Sequence, residues 1–480
     1  MSPEQFREYG HQVVDWVADY LAGVGTYPVG AQVSPGEVRA ALPAHPPEHG
    51  EPFAAVLADL QRVILPGVTH WQHPSYFAYF PANASGPAIL GDLLSSGLGV
   101  QGMLWATSPA CTELEMVVTD WLAELLGLPE AFRHDSAGGG VIEDSASSAN
   151  LVALLAARHR ASTAGGEHTV YVTGETHSSM EKAVRIAGIG ADQLRVVDVG
   201  ADLAMDPASL QRLLTADIAA GATPTMVCAT VGTTGTGAVD PVRSIGEICA
   251  AHGIWLHVDA AYAGVATVCP DHRHLIDGVA EYADSYCTDP HKWLLTNFDC
   301  TALWVGDEAA LTGALSIVPE YLRNRATESG AVVDYRDWQV PLGRRFRALK
   351  LWSVIRWYGA AGLRAHIEHG VELAGRLAAA VRADERFELV TEPLLGLVCL
   401  RPRWEQLVGV PDGDGNELTE LVLRRLNESG ELFLSHASVD DRMVLRFCIG
   451  SPQTQWPHVE AAWRAIGTAV TEVATTRSPA

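Results

Sequence analysis

The chain has 480 residues, 48% hydrophobic and 19% charged, enough for a large core divided among two or three domains. Its 33 basic and 57 acidic residues leave a formal charge of −24, which argues against a nucleic-acid or anionic-membrane partner, since both need a basic face. Eight scattered cysteines, with no Cys-x-x-Cys pair, read as buried free thiols in a reducing, cytoplasmic compartment. The acidic and basic residues Glu4, Arg7, Glu8, Asp15 and Asp19 speak against a signal peptide, and no apolar run reaches the ~18 residues of a membrane span.

Residues 3–22 carry Phe6, Val13, Val14, Val17, Tyr20 and Leu21 at helical spacing, an amphipathic helix whose apolar face needs a partner. A Pro- and Gly-rich connector covers 23–52, and a second helix runs over 52–64. Residues 71–81 form an aromatic cluster containing Trp71, Tyr79, Phe80 and Pro81. It is either core packing or a wall for a flat ligand. Small apolar residues fill 82–104, and 111–126 is an apolar helix.

From about residue 138 the period changes. A Gly-Ser-rich turn over 138–148 leads into a helix at 150–160. Apolar strands at 169–173, 194–199, 225–231, 254–259, 285–288 and 301–305 then alternate with helices, which predicts an α/β domain with a mostly parallel sheet covered on both faces. Residues 319–334 are polar and aperiodic, a long loop of the functional kind. A helical stretch at 345–382 precedes strands at 387–390 and 396–400, a helix at 417–428, strands at 432–435 and 443–448, and a helix at 457–473, a smaller α+β domain.

The chemistry starts from a bias in base usage. Only Lys182, Lys292 and Lys350 are lysines; the other basic residues are arginines. A guanidinium is always protonated and is no nucleophile, whereas a lysine amine can condense with a carbonyl. Lys182 reads as a surface residue of a helix with Glu181 and Arg185, and Lys350 as part of a charged face near Arg344, Arg345 and Arg347. Lys292 follows a strand and a Pro-His turn and precedes Trp293-Leu294-Leu295. Those apolar neighbours are expected to desolvate the amine and lower its pKa.

Other features converge on pyridoxal phosphate, which has an aldehyde, a phosphate and a ring nitrogen to be held. Asp259, ending a buried strand, is the candidate partner of the protonated nitrogen. Ala260 and Ala261 leave room for a flat ring. The turn containing Ser145, Ala146, Ser147 and Ser148 offers backbone N–H groups and hydroxyls to a phosphate at a helix start. Thr233, in Gly232-Thr233-Thr234-Gly235, offers another hydroxyl, and His177 an imidazole able to stack on the ring. No histidine pair has a convincing third ligand for a metal.

At these residues the chain resembles the pyridoxal-phosphate-dependent group II decarboxylases, closest to aromatic-L-amino-acid decarboxylase. The resemblance runs through 77–81, 108–115, His177-Ser178-Ser179, 257–264, Pro290-His291-Lys292-Trp293-Leu294-Leu295 and 341–347. It implies an aspartate-aminotransferase-like fold with a seven-stranded-type sheet, and an obligate homodimer with active sites at the interface. It implies an N-terminal helical dimerisation segment (1–85), a large cofactor-binding domain (86–345) and a small C-terminal α+β domain (346–480). By the same resemblance Lys292 attaches the cofactor and Asp259 pairs with its ring nitrogen. His177 stacks, Ala146 and Ser147 bind phosphate, Thr233, Ala261 and His291 line the cofactor, and Tyr321 returns a proton after carbon dioxide leaves.

The expected reaction is decarboxylation of an aromatic L-amino acid to its arylalkylamine. The alternatives are a histidine or glutamate decarboxylase and an aromatic aldehyde synthase; the presence of both His177 and Tyr321 favours decarboxylation. Three positions depart from the family pattern. Ala82 replaces a substrate-contacting threonine, Met103 replaces a phenylalanine of the substrate pocket, and Asp289 replaces an asparagine near the phosphate, where a carboxylate repels unless it is paired or turned away.

Overall fold

The computed structural model describes residues 1–162, 165–317, 332–409 and 415–477. These form two compact units, one of residues 82–372 and 393–397, the other of residues 1–81, 373–392 and 398–480. The fold thus groups the N-terminal segment with the C-terminal one, a grouping that boundaries at 85 and 345 do not express.

The larger unit is built on seven strands: β1 (Gly139–Glu143), β2 (His168–Thr173), β3 (Leu194–Val197), β4 (Thr223–Thr230), β5 (Trp255–Asp259), β6 (Ser285–Thr288) and β7 (Thr301–Val305). Their order is β1-β7-β6-β5-β4-β2-β3. Strands β2 to β6 pair in parallel, while β7 runs antiparallel to both β6 and β1. Every residue of β5, β6 and β7 is buried, as the continuous apolar runs require of a sheet covered on both faces. This is the expected mostly parallel α/β sheet.

Strand β1 is the element the sequence hid. The turn expected over 138–148 contains a strand, and the following helix begins at Ala146 rather than 150. Three glycines suggested a turn, but they serve close packing. A Cβ on Gly139 would lie 2.6 Å from the His134 ring, and one on Gly140 2.7 Å from Thr119 and Trp304.

The smaller unit holds a four-stranded sheet of β8 (Phe387–Leu389), β9 (Leu397–Pro402), β10 (Ser435–Val439) and β11 (Arg442–Cys448), in the order β10-β11-β9-β8. The strand expected at 432–435 begins only at Ser435. Leu432 and Leu434 are instead core residues, packed with Val422, Leu445 and Ile466. Phe77 stacks on Phe447 at 4.1 Å.

Three expected helices differ in detail. The one at 52–64 divides into Phe53–Asp59 and a wider π-type turn over Leu60–Ile64. The one at 345–382 spans Ala348–Ala383 and is interrupted at Gly359, whose φ of 60° leaves helical geometry. The N-terminal helix, Pro3–Gly23, is closed by a Ser2–Gln5 capping box, yet none of its residues is buried. Among the described residues no helix is long and apolar enough to cross a membrane, and no cluster of side chains could hold a metal ion.

Candidate active site

The candidate residues of the larger unit gather at the carboxyl ends of its central parallel strands, where open α/β sheets place their ligands. Asp259 ends β5, between Thr230 of β4 and Cys287 of β6. It is 4% exposed, and its carboxylate is held by neutral donors. The Ala261 N–H donates to Oδ1 at 3.1 Å and Asn150 Nδ2 to Oδ2 at 3.0 Å. Ala260 and Ala261 follow directly, so the backbone turns beside the carboxylate without a bulky side chain.

Lys292 lies on a single turn, Pro290–Trp293, after β6. Its Nζ is 2.9 Å from Asp289 Oδ2, and the other Asp289 oxygen accepts from Thr301 Oγ1. The Asp289 carboxylate is thus paired with the lysine. Its charge also reverses the expected shift. Burial works to lower the Lys292 pKa, but the charge and hydrogen bond of Asp289, with help from Asp259 and Cys287, leave the amine above its ordinary value. His291 is buried, its Nδ1 2.8 Å from the Cys300 carbonyl and its Nε2 3.7 Å from Asp289. Desolvation holds its pKa down against the pull of Asp289.

His177 is the N-cap of the helix Ser178–Ile186, accepting the Ser179 N–H at Nδ1. Ser179 Oγ lies 2.8 Å from the same nitrogen. Burial lowers the pKa of His177, and the charges of Asp259, Lys292 and Asp289 all act on this ring, which places the four groups in one electrostatic neighbourhood.

The helix Ala146–Ala161 starts with Ser145 as its cap, the hydroxyl accepting the Ser148 N–H. Ala146 and Ser147 therefore hold the first helical positions, where backbone N–H groups have no partner within the helix. One turn further along the same helix, Asn150 touches Asp259. Thr233 is buried beyond β4, its Oγ1 accepting the Ala238 N–H at 2.9 Å and lying 3.2 Å from Thr236 Oγ1.

The aromatic segment, which belongs to the smaller unit, splits between the two readings open in the sequence. Tyr76, Phe77 and Phe80 are core residues, whereas Trp71 and Tyr79 are exposed and stack at 5.8 Å. Arg446 lies over the Phe80 ring at 5.2 Å. Pro81 is buried and Ala82 half-buried, as is Met103, whose carbonyl accepts the Arg336 N–H. Tyr321 lies outside the described residues.

The other two lysines differ from each other. Lys182 is exposed, as expected. Lys350 is not on an open charged face; it is fully buried, with Nζ 3.3 Å from Asp92 and 3.6 Å from Asp299. Its arginine neighbours in sequence suggested a solvated run, but the helix carrying it turns this side chain inward. All eight cysteines are buried and free.

Asn150, Ser179 and Glu143 escaped the sequence reading. Asn150 and Ser179 stand in helices whose period gives no hint that they meet. Glu143 ends β1, buried, with Oε1 lacking a hydrogen-bond partner.

The donor set fits pyridoxal phosphate: an amine for the aldehyde, a buried carboxylate for the ring nitrogen, and a helix start with unpartnered N–H groups for the phosphate. Fold and site together define a fold-type-I pyridoxal-phosphate enzyme. The model of the pyridoxal-dependent decarboxylase conserved domain matches residues 35–403, and the chain belongs to that family. It is 48% identical to a phenylacetaldehyde synthase of Arabidopsis thaliana, over 97% of this chain and 96% of that protein. It is 46% identical to an aromatic-L-amino-acid decarboxylase of Bos taurus, over 97% and 96%. A crystal structure of Oryza sativa TDC with PLP and tryptamine matches with a TM-score of 0.95 and 43% identity, over 98% of this chain and 99% of that one.

Proposed function

We propose that this chain decarboxylates an aromatic L-amino acid, releasing the arylalkylamine and carbon dioxide. The observation that carries the reading is the run of hydrogen bonds from Asp259 through Asn150 and Ser179 to His177, with Lys292 on the turn that follows the neighbouring strand β6, in a chain of the decarboxylase family. When bound, the cofactor supplies an electron sink for the pair left by the departing carboxylate. Lys292 contributes the amine that attaches it. Asp259, its carboxylate held by the Ala261 N–H and the Asn150 amide, would pair with the protonated ring nitrogen. The N–H groups of Ala146 and Ser147 bind the phosphate, while Thr233, Ala261 and His291 line the cofactor. His177 covers one face and limits water. Tyr321 returns a proton to the carbon that lost its carboxylate.

The aromatic choice is supported by the relatives. The test is Lys292→Ala against wild type with Trp, 5-hydroxytryptophan, Dopa, Tyr, Phe, His and Glu. The wild type should release amines from the aromatic set only, and the variant should lose both turnover and the visible absorbance of bound cofactor. A variant that keeps both sinks the assignment of Lys292.

A second reading, aromatic aldehyde synthesis, is favoured by the identity to a phenylacetaldehyde synthase. Here Tyr321 decides. The wild type should give amine and Tyr321→Phe should give aldehyde; aldehyde from the wild type would establish the second reading.

The protein acts as a homodimer with active sites at the interface, in the cytoplasm. On the helix Gly86–Leu98 the side chains of Leu90, Leu93, Leu94 and Leu98 fall on one face and are each half or more exposed. Such a stripe marks an interaction surface. Phe6 and Val14 on the N-terminal helix are likewise uncovered, in keeping with a dimerisation segment over residues 1–85.

A further inference from the structure

Between Asp259 and His177 sits a buried amide with no assigned role. Asn150 is fully buried, with Nδ2 3.0 Å from Asp259 Oδ2 and also 3.0 Å from Ser179 Oγ. Its Oδ1 is 2.8 Å from His257 Nε2. Behind it, His257 Nδ1 is 2.8 Å from Ser285 Oγ, which lies 2.7 Å from Trp255 Nε1. At the other end, Ser179 Oγ is 2.8 Å from His177 Nδ1.

The donors and acceptors fix the direction of each bond. An indole nitrogen only donates, so Ser285 Oγ accepts from Trp255 and keeps its own hydrogen available to His257 Nδ1. The His257 proton is then on Nε2 and points at Asn150 Oδ1. From the opposite side, the Asp259 carboxylate accepts the amide, so the Asn150 nitrogen faces it. The arrangement at the Trp255 end is compatible with the amide orientation that the Asp259 carboxylate demands. The second amide hydrogen goes to Ser179 Oγ, whose hydrogen turns to His177 Nδ1. The Ser179 N–H donates to that same nitrogen at 3.2 Å. A neutral His177 therefore carries its proton on Nε2.

We propose that Asn150 is a positioning residue for this reaction: its one amide steers Asp259 directly and His177 through Ser179, and the polarity of the chain sets the His177 proton on Nε2. The proposal rests on the roles given to Asp259 and His177 above. A neutral donor on a carboxylate favours its charged form. Without Asn150, Asp259 keeps only the Ala261 N–H and the long Cys287 Sγ contact at 3.9 Å, so its carboxylate is less well held opposite the cofactor's ring nitrogen. The electron sink weakens, while substrate binding is untouched.

The test uses holoenzyme loaded with ring-¹⁵N pyridoxal phosphate, and ligand-free protein labelled with ¹⁵N-histidine, the His177 signals being assigned by their loss in His177→Gln. In Asn150→Leu the ring-nitrogen resonance should move toward the unprotonated form, with kcat down ~10-fold or more and KM little changed. In Ser179→Ala the His177 Nδ1 resonance should move while the ring nitrogen stays. An unmoved ring nitrogen with kcat within about twofold in Asn150→Leu overturns the proposal, and so does an unmoved His177 in Ser179→Ala. If Asn150→Leu does not fold, Asn150→Ala, which also removes the donor, carries the same ring-nitrogen readout. Wild-type protein that takes up no cofactor counts against the decarboxylase reading alone, because the His177 signal in ligand-free Ser179→Ala still decides the relay.

Discussion

Asp289 Oδ2 lies 2.9 Å from Lys292 Nζ, so the amine expected to attach the cofactor has a carboxylate counter-ion three residues before it in the chain. Lys292 is therefore cationic in the ligand-free protein. A lysine whose folded pKa is raised contributes stability that is fully present below its unfolded value of ~10.4 and is lost as pH rises through the folded value. Replacing Asp289 by Asn leaves burial as the dominant influence and brings the folded value down. In cofactor-free Asp289→Asn, Lys292 should react with an amine-acylating reagent at a lower pH than in wild type, followed by peptide mass mapping. An unshifted midpoint would mean that Asp289 does not control this amine.

Glu143 should be a pH-dependent liability. Burial raises its pKa to about 8, with Arg344 opposing and Asp144 adding to the shift. A carboxyl raised in the folded state gives stability that is present below the unfolded value of ~4.3 and is progressively lost as pH climbs toward the folded one. Glu143→Gln keeps the shape and removes the titration. Thermal unfolding from about pH 5 to about pH 9 should fall less steeply for the variant, with the two curves separating most at the alkaline end. Parallel curves would place the titration elsewhere.

Arg344 and Glu115 form a fully buried ion pair at 2.7 Å. The guanidinium also donates to Gln339 Oε1 and to the Ile142 carbonyl, and Glu115 Oε1 accepts the Ile142 N–H. Removing one partner strands a charge, so Arg344→Met should cost ~3–5 kcal/mol in chemical denaturation. Arg344→Lys should also destabilise, since a point charge cannot reproduce the fork. The double variant Arg344→Met with Glu115→Gln should recover much of the loss; additive losses would argue that the pair is not coupled.

The leucine stripe of helix Gly86–Leu98 gives a test of assembly. Leu94→Glu combined with Leu98→Glu should convert a dimer to monomer in sedimentation velocity. Persistence of the dimer would place the interface on another surface.

The sequence by itself determined six of the seven strands of the larger sheet and the family to which the chain belongs. Strands β6 and β7 were readable residue for residue at 285–288 and 301–305, because short runs of aromatic, small and β-branched residues without charge, between turns, suit a strand covered on both faces. Lys292 was readable because arginine has displaced lysine almost everywhere else in this chain. Asp259 was readable because a charge at the end of a buried strand needs a purpose. Tertiary structure alone decided what those residues touch. Glycine's preference for turns masked β1, since only the packed His134 and Trp304 rings require the missing side chains. Lys350 looked solvated among arginines, until the helix carrying it turned it toward Asp92 and Asp299. Asn150 carries no local signal at all: it meets Asp259, 109 residues away, and Ser179 on another helix, through contacts that exist only once the sheet has formed. Periodicity records which face of an element is buried. It does not record which partner a buried polar group finds there: in this protein Lys292 finds Asp289, and Asp259 finds Asn150.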